Sequence, residues 1–161
     1  MGDRKALRNV LFAGLMGVCG GVAAEPTMQE AVQFIENLKH CDVYRRGQSV
    51  RDVGWLQDST STTGTGGKDE LWFTTDDEPG HRLRYGFSLS NIRQVEQSSG
   101  DGGLLRLTCD VGDCVAMVPH GDFHNVERMH SIDFYCTSDM TPRIGKALDF
   151  YISQSRPKGS F

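Results

Sequence analysis

Between Leu104 and Val118 the chain reads Leu-Leu-Arg-Leu-Thr-Cys-Asp-Val-Gly-Asp-Cys-Val-Ala-Met-Val. Side chains alternate faces along a strand. Leu105, Leu107 and Cys109 therefore share one face of a first strand, and Cys114, Ala116 and Val118 one face of a second. Folding the stretch about Val111-Gly112 sets Asp110 opposite Asp113, Cys109 opposite Cys114, Leu107 opposite Ala116 and Leu105 opposite Val118. Every pair on that face is apolar or cysteine, so the pattern predicts a β-hairpin with Cys109 and Cys114 in register. The stretch speaks to fold and to redox compartment, and it names no reaction.

The cysteines acquire meaning from the N-terminus. Arg4, Lys5 and Arg8 form a basic segment, Val10 to Gly21 is apolar and glycine-rich, and Val22-Ala23-Ala24 supplies small or compact residues. The order of these three regions is that of a secretory signal peptide over residues 1–24, cut before Glu25. The apolar run is too short to span a bilayer comfortably, so no stable membrane anchor is expected after cleavage. Cys19 follows Val18, where an acylated cysteine usually follows a small residue, which argues against a lipid anchor there. Four cysteines remain: Cys41, Cys109, Cys114 and Cys136. An even count in an exported chain predicts disulfides. The hairpin register favours Cys109–Cys114 and leaves Cys41–Cys136. A zinc site is the alternative, but the spacing within one hairpin is marginal and no Cys/His pair follows closely.

Cleavage removes three of the 17 basic residues and one of the 21 acidic ones, leaving 14 against 20, a net charge of −6. Such a domain lacks the basic footprint that nucleic acid or anionic lipid requires. Nineteen glycines in 161 residues favour a turn-rich β protein over a helical bundle.

Thr27-Met28-Gln29-Glu30 is a capping box, followed by Ala31, Val32, Ile35 and Leu38 at helical spacing, with Phe34 on the flank. The spacing predicts a helix ending near His40. Val50, Val53, Trp55 and Leu56 suggest a strand broken by Gly54. Residues 58–68 form a polar, glycine-rich loop. Its Gly67-Lys68 lacks the upstream glycine and the following Ser or Thr of a phosphate loop. Strands are expected over Leu71–Thr75, Arg82–Ser90, Asn91–Glu96 and Ser131–Cys136, beside the hairpin, with a loop from Pro119 to Met129. Thr141-Pro142 opens a second helix whose stripe is Ile144, Ala147, Leu148, Tyr151 and Ile152. From Arg156 on the chain is expected to fray. Helix, six or seven sequential strands and a closing helix point to an antiparallel meander capped by the last helix.

Few residues suggest chemistry. His120, Asp122, His124 and, beyond them, His130 could hold a metal from a loop. No Gly-x-Ser-x-Gly segment is present, and cysteines committed to disulfides offer no thiolate. No cofactor and no catalytic residue is assigned. Trp72, between Leu71 and Phe73, points to the opposite face from both. It is either a partner contact or covered by the first helix, and the second reading is favoured because an apolar helix face needs a mate.

Phe87-Ser88-Leu89-Ser90-Asn91-Ile92-Arg93-Gln94-Val95-Glu96, the 104–118 stretch, Ile132-Asp133-Phe134 and the helix Arg143–Ser153 with Ala147-Leu148 in its stripe together resemble the pleckstrin-homology superfold, including its GRAM-like members. The resemblance covers residues 82–153 and also extends to exported bacterial proteins of this shape with no assigned function. It implies an α+β domain, an antiparallel PH-like barrel or sandwich with a C-terminal capping helix. The helix at 28–40 is extra to that core, and the acidic, exported character of the chain does not carry lipid binding over. The expected organisation is a signal peptide at 1–24, a single PH-like domain at 25–157 and a frayed tail at 158–161. The expected function is a periplasmic or secreted, non-enzymatic binding module whose partner is another exported or envelope protein. The alternative is a metal-binding protein or metal-dependent hydrolase built on the His120–His130 loop. Expressed in a secreting host, the released protein should begin at Glu25 by N-terminal sequencing; an intact Met1 leader on released protein would contradict the assignment.

Overall fold

The computed structural model describes residues 26–44, 47–56, 70–78, 81–98, 102–119, 122 and 124–156. The leader at 1–24, the loop at 58–68, His120 and the tail at 158–161 lie outside the described residues. Helix α1 (Met28–Ile35) opens on the expected capping box. The Thr27 hydroxyl accepts from the Glu30 amide at 3.2 Å, and the Glu30 carboxylate accepts from the Thr27 amide at 2.7 Å. A 3-10 turn, Glu36–His40, carries the helical path to its expected end. The strands are β1 (Asp42–Val43), β2 (Gln48–Leu56), β3 (Glu70–Glu78), β4 (His81–Ser88), β5 (Ile92–Ser98), β6 (Gly103–Cys109), β7 (Val115–Pro119), β8 (Glu127–Met129) and β9 (Ser131–Cys136), followed by helix α2 (Met140–Ser155).

The architecture is a mostly antiparallel sheet with two helices, an α+β fold. Among the described residues it has nine strands, more than the expected six or seven, because β1 has two residues and β8 three, too few to show a period. β8 falls within the stretch expected to be loop. β2 runs unbroken through Gly54, since the Trp72 indole on β3 lies across that position. A Cβ there would meet the ring at 2.5 Å, so glycine is what allows the close approach.

The strand order is β5-β6-β9-β1-β2-β3-β4-β7-β8, an open sheet among the described residues. Short β1 sits at its middle, paired to β9 on one side and β2 on the other. It separates a half made of β5, β6 and β9 from a half made of β2, β3, β4, β7 and β8. The halves meet through aromatic side chains. Phe134 of β9 packs edge-on against Phe73 of β3 at 5.3 Å between centroids, and Phe73 stacks on Tyr85 of β4 at 4.8 Å.

The 104–118 hairpin does not form. β6 lies between β5 and β9, and β7 between β4 and β8. The inward face of β6 is as expected, with Leu105, Leu107 and Cys109 buried. β7 is the reason for the failure: Cys114 through Val118 are all buried, so both faces are covered and alternation carries no register. Val115 and Met117 face the core, Met117 opposite Tyr85 and Val115 opposite Met129, one residue out of step with the expected set. The Cys109–Cys114 disulfide forms nonetheless, with a Cα–Cα distance of 5.7 Å. It bridges the turn by which the chain passes from one half-sheet to the other.

The chain is therefore not a meander. It crosses between halves at the 3-10 turn Leu89–Asn91, again between Cys109 and Cys114, and again at His130 between β8 and β9. Hydrogen bonds tie the three crossings together. The Asp110 amide donates to the Asn91 carbonyl at 2.8 Å, and the Cys109 amide to the His130 carbonyl at 2.9 Å. The His130 ring Nδ1 donates to the Gly112 carbonyl at 2.6 Å, since a carbonyl only accepts. Gly112 turns the loop at φ 61°, a conformation natural to glycine.

The second disulfide, Cys41–Cys136, joins residues 95 apart in sequence. Over the sheet lies α2, with Ile144, Leu148, Tyr151 and Ile152 buried as expected and Tyr151 stacked on Trp55 at 5.1 Å. Arg156 is held in place: its guanidinium donates to the Ile92 carbonyl of β5 at 2.6 Å. Replacing Cys41 and Cys136 by serine should lower stability by about 4–5 kcal/mol on the loop-entropy relation, against about 2 kcal/mol for the Cys109/Cys114 pair. Urea unfolding of the two double variants checks this, and equal losses would contradict it.

Candidate functional site, a groove between the two helices

The histidine loop is built as structure in its described part. Asp122 accepts from the His124 amide at 3.1 Å through one oxygen and from the Asn125 side chain at 2.5 Å through the other. Both oxygens thus close the loop's own turn. His130 is held at the crossing corner by Gly112. Among the described residues no three His, Cys, Asp or Glu side chains gather as a metal-holding group. His120, the remaining member of the expected set, lies outside the described residues.

Trp72 does point away from Leu71 and Phe73, which are fully buried. The first helix packs on α2 rather than on β3. The indole lies across Gly54, and the Arg84 guanidinium sits over it at 4.6 Å from the ring centroid. Trp72 thus fills the glycine gap in its own sheet. Arg84 belongs to no motif in the sequence, although strand alternation puts it on the same outward face, opposite Thr74.

A cleft of about 270 Å³ opens between the half-sheets, lined by Val43, Tyr85, Glu127, Met129 and residues 131–133. Its charged side chains and its tyrosine already have partners. Asp133, with its side chain 5% exposed, takes two 2.8 Å bonds from Arg106. That bidentate pair holds Arg106 protonated well above its ordinary range, and Glu127 and Tyr85 are likewise engaged.

The groove between α1 and α2 is different. It measures about 400 Å³ and is lined by Pro26 just before the first helix, by Glu30, Ala31 and Phe34 of that helix, and by Arg143, Lys146, Ala147 and Phe150 of the second. Helix periodicity explains the set. In α2 the stripe at 144, 148, 151 and 152 faces the sheet, so 143, 146, 147 and 150 form the adjoining face toward α1. In α1, Ile35 and Leu38 of the following turn are buried, which leaves Phe34 beside them at the rim, 42% exposed. Sequence spacing sets Phe34 on the flank of the apolar face, and that exposed flank is one wall of this groove.

Charge is arranged unevenly around it. The Thr27 amide and hydroxyl hold the Glu30 carboxyl below the usual carboxylate range. Across the groove, Arg143 and Lys146 make no side-chain ion pair or hydrogen bond among the described residues. No protein-family model, no curated protein and no solved structure matches the chain.

The two helices should respond to acid with opposite signs. Glu30 has a lowered pKa, so its contribution is present above the unfolded value and is lost as pH falls through the folded one. Glu30→Gln should therefore lower the Tm at pH 7, with the difference shrinking in acid. Burial pushes the Asp149 carboxyl up, so that group stabilises below its unfolded pKa and loses this as pH rises through the folded one. Asp149→Asn should raise the Tm at pH 7 and have no effect in acid. Thermal scans across pH check both, and a shared sign would contradict the assignment.

Proposed function

We propose that this chain is an exported, non-enzymatic binding domain, braced by two disulfides, that receives a protein partner in the α1–α2 groove. One observation carries the reading. A large aromatic, Phe34, stands exposed at the mouth of a groove of about 400 Å³ with Ala31, Ala147 and Phe150 around it. That volume lies within the range of natural binding sites, and small residues at the floor leave room for a side chain from outside. Export is supported by the succession of basic, apolar and small residues in the sequence of residues 1–24 and by the pairing of all four remaining cysteines. Among the described residues no helix is long and apolar enough to cross a membrane. The compartment of this reading is the periplasm or the extracellular space, and the partner is another exported or envelope protein.

The pleckstrin-homology likeness enters this reading through one element, a C-terminal helix laid over an antiparallel sheet. The repeated crossings between half-sheets depart from the sequential meander read from the strand pattern. No lipid ligand is taken from it. The metal-dependent alternative gains no support from Asp122 and His130, whose described contacts are those of turns.

The test is site-specific photo-cross-linking of the exported protein. Benzoylphenylalanine at position 34 should give one discrete cross-linked partner, lost when Ala147→Leu fills the floor. The same probe at Val111, 83% exposed on the crossing loop, should give none. Equal cross-linking at both positions, or none at 34, would overturn the reading.

A further inference from the structure

Resting on the groove as the binding site, we infer that its occupant is an acidic amphipathic helix of the partner protein, docked as a third helix along α1 and α2. The first ground is backbone chemistry. Both walls are helices, whose interior amide and carbonyl groups are bonded along their own axes. An extended segment laid between them would find no ladder to join, unlike one added to a sheet edge. A helix brings its backbone bonds with it and presents only side chains. The second ground is shape. Ala31 and Ala147 are small where the helices approach, and Phe34 and Phe150 are large on either side. A ridge of apolar residues spaced three and four apart fits that relief.

The third ground is charge. The chain as a whole is acidic, with a net charge of −4. Against that background Arg143 and Lys146 stand three residues apart on one rim. Arg143 exerts an attraction on Asp139 at the helix start, and among the described residues neither cation forms an ion pair. Glu30 occupies the other rim and is tied to Thr27. An incoming helix with carboxylates on its α2-facing flank meets Arg143 and Lys146, which form no ion pair among the described residues. A basic flank meets repulsion there. The rim thus selects against basic helices as well as for acidic ones.

The test uses the exported protein with both disulfides formed, as bait for a random peptide display library. Counter-selection against Phe34→Ala keeps only groove-dependent binders, and synthetic peptides of the winning sequences are then titrated. The expected winners carry apolar residues at helical spacing with Asp or Glu on one flank, and gain helicity on binding. The Arg143→Glu, Lys146→Glu double variant, shown by circular dichroism to be folded, should bind them at least tenfold more weakly and favour versions with Lys in place of the acids. Winners that need Phe34 but show no acidic bias, or ignore the charge reversal, would overturn this inference and leave the groove as the site. Extended, proline-containing winners would overturn the helical occupant. An absence of Phe34-dependent winners would overturn both the inference and the groove reading.

Discussion

The covalent bond between Cys41 and Cys136 fixes the geometry on which the rest of the molecule depends. It lies where the structure is otherwise thinnest. The half-sheets are joined by a strand of only two residues, β1, paired through Asp42 and Val43 to Tyr135 and Phe134 on one side and to Ser49 and Gln48 on the other. So short a strand supplies few hydrogen bonds. The bridge beside it closes a span of 95 residues and removes much of the freedom of the unfolded chain. The Tyr44 amide donates to the Asp133 carbonyl at 2.9 Å, and the Tyr44 and Tyr135 rings lie 6.2 Å apart, extending the same junction outward. Both helices leave from this point. The helical path of α1 ends at His40, next to Cys41, and α2 starts at Met140, shortly after Cys136. Tethering those two ends brings α1 alongside α2, and the groove follows from that proximity.

The second disulfide does comparable work at the crossing corner, where three passages between the half-sheets are stitched to one another. A short loop restrains the unfolded chain less, so its larger contribution is geometric. It holds the ends of β6 and β7 together while they run into different halves. His130 serves the same corner through its ring and its carbonyl, which accounts for a histidine that sequence alone could assign to a metal.

How much of this is legible in the sequence depends on whether a segment has one covered face or two. α1 and α2 each have one, so capping residues and apolar spacing locate them to within about a turn. β6 also has one, and its buried set follows from alternation. β7 is covered on both faces, and a run such as Val115-Ala116-Met117-Val118 is equally compatible with either register. The nearness of Cys109 and Cys114 then makes a hairpin the economical choice, although a disulfide needs only adjacency of two residues and not pairing of their strands. The order of strands is hidden for a related reason. Sequential connection is a tendency, and the long-range pairings Arg106 with Asp133 and Leu107 with Ile132 leave no local mark. The groove is half legible: Phe34 can be placed on the edge of its helix face, but its partners on α2 become neighbours only through the Cys41–Cys136 junction.

The Cys41–Cys136 junction holds α1 against α2. Amide hydrogen exchange of the oxidised protein and of the Cys41→Ser, Cys136→Ser variant measures it directly, residue by residue. If the bridge positions the first helix, the amides of residues 28–35 lose protection far more than those of β3 and β4, whose pairing does not pass through it. If α1 keeps its protection, or loses it only in step with β3 and β4, the helices are held together by something else and the groove does not originate in the Cys41–Cys136 bridge.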